Sequence, residues 1–290
     1  MPHGGTGLRT QAPDVVCPVS ASKPPLASFE HVSLSFETPN GMLKVLDDVS
    51  YEISEGEFVS IIGPSGCGKT TMMNMLAGFQ TPTAGSVTFD GRPILGPGPE
   101  RGVIFQDYGV FPWLTVRDNI AFGLKLKANH VPVKERDDIC THYLALMGLS
   151  DFANSYPKHL SGGMRQRLAI ARAYAVKPKF LLMDEPFGAL DAQTRLNMQN
   201  LLLQVLGAEG KTVMLITHSV DEAIYLSSRI IVVTARPARI KRIIDIDFPY
   251  PRQEALQERA EFGEIRKIVR ELVMSEYQAQ QAQGVVRFSK

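Results

Sequence analysis

Residues 55–78 read EGEFVSIIGPSGCGKTTMMNMLAG: a short apolar strand (FVSII, residues 58–62), a glycine-rich loop and the start of a helix. The loop GPSGCGKT fits the pattern G-x-x-x-x-G-K-[S/T] at Gly63, Gly68, Lys69 and Thr70. Glycines let successive backbone N–H groups point into one concavity, an anion nest at a helix N-terminus. Lys69 adds a point charge that reaches the outer phosphates of a nucleotide, and the Thr70 hydroxyl offers a ligand to Mg²⁺. Pro64, Ser65, Gly66 and Cys67 within the loop, and Thr71 after it, complete the candidate cradle. A chance match in a chain this long has a likelihood of roughly 1% at ordinary residue frequencies. The flanking strand and helix are the context that the mechanism requires.

Such a loop needs an acidic partner at the end of a neighbouring strand. FLLMDE (residues 180–185) supplies four apolar residues followed by Asp184 and Glu185. Asp184 can hold Mg²⁺ and Glu185 can polarise an attacking water. Taken alone, the segment reads equally well as a buried strand ending in a solvated acidic pair.

Working outward, LASFEHVSLSF and LKVLDDVSYEI flank the turn signal PNG and predict two antiparallel strands. SVTFDGRPI predicts a strand ending in an Asp90-Gly91 turn, and GVIFQ a short buried one. From residue 107 to about 160 the pattern becomes helical, with Val116, Ile120 and Leu124 on one face and Ile139, Tyr143 and Leu146 on another. Continuous apolar runs FLLMDE, TVMLIT and RIIVVTA then alternate with helical stretches, the signature of parallel buried strands in an α/β fold. A last helix carries Ile265, Ile268, Val269, Leu272 and Val273 as a packing stripe whose polar side mixes both charges.

The 290 residues carry 31 Lys+Arg against 30 Asp+Glu, a net charge of +1, which offers no whole-molecule attraction to nucleic acid or anionic lipid. Three scattered cysteines, Cys17, Cys67 and Cys140, make neither a disulfide framework nor a zinc site. No apolar run reaches the roughly 18–20 residues of a membrane span, so a membrane role is expected to come through a partner. Residues 1–25 are rich in Gly, Pro, Ser and Thr, lack a signal-peptide core, and read as a disordered tail.

The decisive further motif is LSGGMRQR at residues 160–167. With it the chain resembles the ATP-binding subunit of an ABC transporter, through six motifs in order between residues 26 and 251. The resemblance implies a P-loop ATPase cassette with a mixed-sheet core, an antiparallel β subdomain and a helical subdomain inserted at about 107–166. A helical extension follows at 252–290. It further implies ATP and Mg²⁺ as cofactors, Mg²⁺ being held by Thr70, Gln106 and Asp184, with Lys69, Glu185 and His218 catalytic. Gln106 would sense the metal and the γ-phosphate, and His218, which ends TVMLIT, would hold Glu185 and the water in line. The signature Leu160, Ser161, Gly162, Gly163 and Met164 would bind ATP held by the opposite subunit, and Asp191 lies in the D-loop with Ala189 and Leu190. By its own chemistry Ser161 is equally a plain N-cap. Phe36, 27 residues before Gly63, is placed like the aromatic that stacks on adenine, where the family more often has Tyr; otherwise it is an inward strand residue.

GVFPWLTVRDNIAFGLKL and VVTARPARIKRIIDIDFPYPR resemble the nitrate/sulfonate/taurine importer branch. Trp113 is expected either to anchor the helical core or to line the groove that receives a permease coupling helix. Cys67 reads as a small residue tolerated in the turn, whose alkylation should block ATP, and Cys140 as core. The implied partners are a second copy in a head-to-tail ATP sandwich, transmembrane permease subunits and, indirectly, a solute-binding protein; nucleic acid is not among them. The implied location is peripheral, on the cytoplasmic face of the inner membrane. A soluble non-transport ABC ATPase and an exporter ATPase are the competing readings. No long insert separates Lys69 from Ser161, which disfavours the former.

Overall fold

The computed structural model describes residues 25–129, 131–188, 190–282 and Gly284. The tail read over residues 1–25, except Pro25, lies outside them, as do Cys17 and Ala189. Strands β1 (Ala27–Thr38) and β2 (Gly41–Ile53) form the expected antiparallel pair, and β1 also pairs antiparallel with β4 (Ala84–Phe89). A turn with positive φ at Asp90 and Gly91 leads into the short β5 (Arg92–Pro93), giving a sheet ordered β2-β1-β4-β5.

The second sheet holds the nucleotide loop. Its order is β10-β9-β3-β8-β7-β6, built from β3 (Phe58–Ile62), β6 (Arg101–Ile104), β7 (Phe180–Asp184), β8 (Thr212–Ile216), β9 (Arg229–Val233) and β10 (Ile240–Asp245). Only β10 runs antiparallel to its neighbour. Every residue of β3, β7 and β8 is buried, because layers cover both faces of the sheet. Alternate residues divide between two apolar clusters: Phe58 and Ile62 join one, Val59 and Ile61 the other. Strand β8 separates β3 from β7, so the phosphate loop and the acidic pair emerge two strands apart at the same sheet edge.

Helix α1 (Lys69–Ala77) follows the loop directly and stops at Gly78, φ +83, where a Cβ would lie 2.2 Å from the Gly96 carbonyl oxygen. Between β6 and β7 stand α2 (Val116–Leu124), α3 (Val133–Leu146) and α4 (Gly162–Ala175). Thr115 caps α2 by accepting from the Asp118 amide at 3.1 Å, and Ser161 caps α4 by accepting from the Met164 amide at 3.3 Å. Val116, Ile120 and Leu124 are buried as the spacing predicts. On α3 the buried face is instead Cys140, Tyr143 and Leu144, and Leu146 is exposed, because α4 and α2 meet the helix about one residue away from the expected stripe. These helices have no core of their own: Ile120, Cys140 and Leu168 share one apolar cluster with Ile104, Leu181 and Met183 of the sheet.

Helices α5 (Ala192–Glu209) and α6 (Val220–Leu226) flank β8, and α7 (Ala260–Ala282) packs against α6 and β9. Its stripe is centred on Phe262, Val269 and Val273, leaving Ile268 exposed. No described helix is long and apolar enough to cross a membrane.

Candidate nucleotide site

Gly63 follows β3 in a slot that admits no side chain: a Cβ there would meet Val233 Cγ2 at 2.6 Å and the Val233 carbonyl oxygen at 2.9 Å. Gly66 and Gly68 take positive φ values of 71° and 121°, which glycine alone adopts without strain. The loop therefore turns tightly, with Ser65, Gly66 and Thr70 facing solvent and Pro64 and Cys67 buried beneath them. Lys69 is buried and donates from Nζ to the carbonyl oxygens of Gly63 and Pro64, both at 2.9 Å. The loop is thus cross-braced by the same cation that its geometry aims at an anion.

Cys67 is fully buried in the apolar cluster below the loop, and burial pushes its thiol pKa up. Alkylation at Cys67 is not the simple probe that its loop position suggested, because a reagent cannot reach the sulfur of the folded loop. Cys140 is likewise buried, in the helix-group core.

Asp184 closes the gap across β8. Its Oδ2 accepts from the Thr70 hydroxyl at 2.8 Å, and burial raises its pKa above the usual carboxylate value while that hydrogen bond works against the rise. A hydroxyl and a carboxylate joined in this way form a two-oxygen site suited to a small hard cation that keeps its remaining ligands from water and phosphate. Glu185, one residue on, has φ +44, an uncommon value for a side chain of its size, fixed by its amide donating to Ile216 O at 2.9 Å. Its carboxylate lies 3.3 Å from Nδ1 of the half-exposed His218.

A cavity of about 550 Å³ lies over the loop, lined by Ser65, Gly66, Gly68, Lys69, Thr70 and Thr71. Gln106, Glu185 and Phe36 also line it. Phe36 is 39% exposed, so it is not the inward strand residue that was the alternative. The signature residues Leu160–Met164 and Asp191 are not part of this cavity. Leu160 is buried, Ser161 is exposed at the head of α4, and a Cβ on Gly163 would lie 2.7 Å from Thr194 Cγ2 of α5. Asp191 caps α5 by accepting from the Thr194 amide at 3.0 Å, and hydrogen bonding from the Thr194 side chain together with that amide holds its carboxyl below the usual range.

Several residues at the site had no sequence signal of their own. Glu222 is buried in α6; its carboxylate accepts from the Thr217 hydroxyl and from Gln199 Nε2 of α5 at 2.9 Å. The spacing Ser219-x-x-Glu222 is that of a capping box, and Ser219 Oγ does accept from the Glu222 amide. The carboxylate, however, turns inward to Thr217 and Gln199, and Thr217 is the residue before His218. Arg195 of α5 donates to the carbonyls of Phe187 and Leu190, gripping the segment after Glu185. Trp113 is 70% exposed, so it does not anchor the helical core; it packs beside Phe111, whose ring also meets Phe122 and lies under the Arg172 guanidinium.

The family model of the ABC transporter matches residues 46–188. A putative ATP-binding protein of Brucella abortus is 54% identical over 245 residues, 84% of this chain and 92% of that protein. The chain belongs to the ABC transporter family. It is an ATP-binding, ATP-hydrolysing cassette of the α/β class that serves transport. A nitrate import ATP-binding protein of Synechococcus elongatus is 43% identical over 82% of this chain and 88% of that protein. A taurine import ATP-binding protein of Pseudomonas aeruginosa is 47% identical over 82% and 92%. Among solved structures, a dimeric ATP-binding cassette in a post-hydrolysis state, bound to ADP and Pi, superposes with a TM-score of 0.67 at 31% identity. That match covers 77% of this chain and all of that one.

Proposed function

We propose that this ABC cassette energises import of a small anion-like solute of the nitrate, sulfonate or taurine type through a separate permease. Two copies would close head to tail on two ATP molecules at the cytoplasmic face of the inner membrane, with a solute-binding protein delivering cargo from outside. The carrying observation is the division of the site. Lys69, Thr70, Asp184, Glu185 and His218 converge near one cavity, whereas the Ser161–Met164 helix start is presented elsewhere, available to a second copy. The nitrate and taurine import relatives support the choice of solute class.

In this reading the loop amides and Lys69 bind the β- and γ-phosphates, exchanging the Gly63 and Pro64 carbonyls for phosphate oxygens. Phe36 stacks on the base. Thr70, Asp184 and Gln106 would hold Mg²⁺, which would supply charge neutralisation on the phosphates. Glu185, held by His218, takes the proton of the attacking water and orients it in line. The Ser161 helix start of the partner stabilises charge on the transferring group through backbone N–H donors. The exposed Phe111–Trp113–Phe122 patch is the docking surface for a permease segment. The test is co-purification with the permease, followed by ATPase assays with nitrate, an alkanesulfonate and taurine. Stimulation by one of them is expected; a cassette that binds no permease and responds to no solute refutes the assignment.

A further inference from the structure

The turn between β9 and β10 lies against the nucleotide loop and brings a cation that none of the motifs accounts for. Strand β9 runs beside β3, which places Val233 against Gly63. Three residues on, Arg236 Nη2 lies 3.5 Å from where a Cβ on Gly66 would stand, and Arg236 lines the same 550 Å³ cavity as Lys69 and Phe36. Lys69 and Arg236 are the two cationic side chains of that lining.

The turn is tied down on all sides. The Ala238 amide donates to Val45 O at 2.8 Å, and the Ala238 carbonyl accepts from the Asp47 amide at 3.0 Å. The Ala235 amide donates to Glu276 Oε2 of α7 at 2.8 Å. One helical turn further, the buried Gln280 donates from Nε2 to the carbonyl of Ser65 in the phosphate loop itself, at 2.9 Å. Helix α7 therefore grips the turn and the loop together. Two neighbouring cations are spoken for: Arg239 pairs with Asp47, and Lys241 with Glu276. Arg236 differs. Among the described residues its guanidinium has no acidic partner, and its Nε is buried without an acceptor. A fixed arginine left unpaired beside an anion nest costs stability unless a ligand supplies the acceptor.

We propose that Arg236 is a second cationic contact for the phosphates of the bound nucleotide, and that α7 positions it through Glu276 and Gln280. The assignment rests on the nucleotide reading of the loop. A guanidinium presents several fixed N–H donors and matches phosphate oxygens better than an ammonium does. Its charge is already felt at the loop, where Arg236, like Lys69, works against the burial that raises the Cys67 pKa.

The experiment measures affinity for ATP, ADP and GTP, each with Mg²⁺, and the melting temperature with and without nucleotide, in wild type, Arg236→Gln, Arg236→Lys and Lys69→Ala. Arg236→Gln should weaken ATP and ADP by about tenfold, the loss expected for one charge-assisted hydrogen bond. GTP should lose as much as ATP, and Arg236→Lys should fall between. Nucleotide-free melting should not fall and should rise slightly, because among the described residues Arg236 has no hydrogen bond to lose and its unpaired Nε is relieved, while the nucleotide-induced rise in melting temperature shrinks. Glu276→Gln and Gln280→Ala should each weaken ATP several-fold and add little on top of Arg236→Gln. Wild-type affinity in Arg236→Gln, or a loss confined to one base, overturns the phosphate contact; fully additive losses overturn the positioning by α7. Absence of Lys69-dependent ATP binding in the wild type would instead bring down the nucleotide reading itself.

Discussion

Replacing Glu222 by alanine tests whether His218 is held by a buried network. Glu222 is 5% exposed, and its two carboxylate oxygens take the Thr217 hydroxyl and the Gln199 amide. Truncation leaves both donors buried without an acceptor, at about 1–3 kcal/mol each. For a chain of 290 residues, with an unfolding entropy of about 2.1 cal/mol/K per residue, 1 kcal/mol moves the melting temperature by about 1.6 °C. Glu222→Ala should therefore melt about 3–10 °C lower. Thr217 adjoins His218, and its hydroxyl oxygen accepts from the Ser219 amide at 3.0 Å, so the same truncation frees the segment that holds His218 against Glu185. In ATPase assays kcat should fall roughly tenfold or more with KM little changed, since the loss is one of alignment. Glu222→Gln keeps the volume and one acceptor and should recover most of both. Melting within a degree or two of wild type, together with unchanged kcat, would falsify the idea that this network supports the histidine.

Four other outcomes follow from the same geometry. Burial raises the Glu222 pKa above its ordinary 4.5, so the protonated form is favoured in the folded protein. Wild type should then gain stability relative to Glu222→Gln as pH falls from the raised folded value towards 4.5, and lose that advantage as pH rises through it; parallel melting profiles contradict this. Gly63→Ala forces a Cβ into Val233, and nucleotide affinity should drop by at least tenfold; unchanged affinity in a titration would show that the loop has slack it lacks here. Glu185→Gln should bind ATP normally yet accumulate as an ATP-bound dimer in size-exclusion chromatography, and wild-type turnover in that variant removes Glu185 from its role as base. Thiol reagents at neutral pH should leave Cys67 and Cys140 unlabelled until the protein is denatured, because both are buried with raised pKa values; rapid modification mapped to either of them in the native chain contradicts the packing.

The parts of this fold written in local pattern were readable from it. FVSII, FLLMD and TVMLI are unbroken apolar runs because both faces of each strand are covered, and Asp90-Gly91 marks a tight turn whichever chain it joins. The phase of α3 was not readable. Ile139, Tyr143 and Leu146 form as good a helical stripe as Cys140, Tyr143 and Leu144, and the choice is made by α2 and α4 rather than by the helix. At the site, the loop and the acidic pair carry their own context, and the bond from Thr70 to Asp184 joins them across 114 positions of sequence. Arg236 and Gln280 have no such context: Gln280 meets Ser65 from 215 positions away, through a helix whose periodicity speaks only of packing. Trp113 was ambiguous because aromatic residues serve cores and docking patches alike, and exposure alone separates the two uses.

The helices between β6 and β7 share their apolar cluster with the central sheet, and this limits how the cassette can move. A body with its own core swings freely on a linker; this one must slide Leu168 and its neighbours past Leu181 and Met183 without opening voids. Dense packing of that kind tolerates a few interlocked arrangements and little between them. Shifts at Gln106, where the sheet hands over to the helices, would therefore reach the Trp113 patch as a small set of discrete poses.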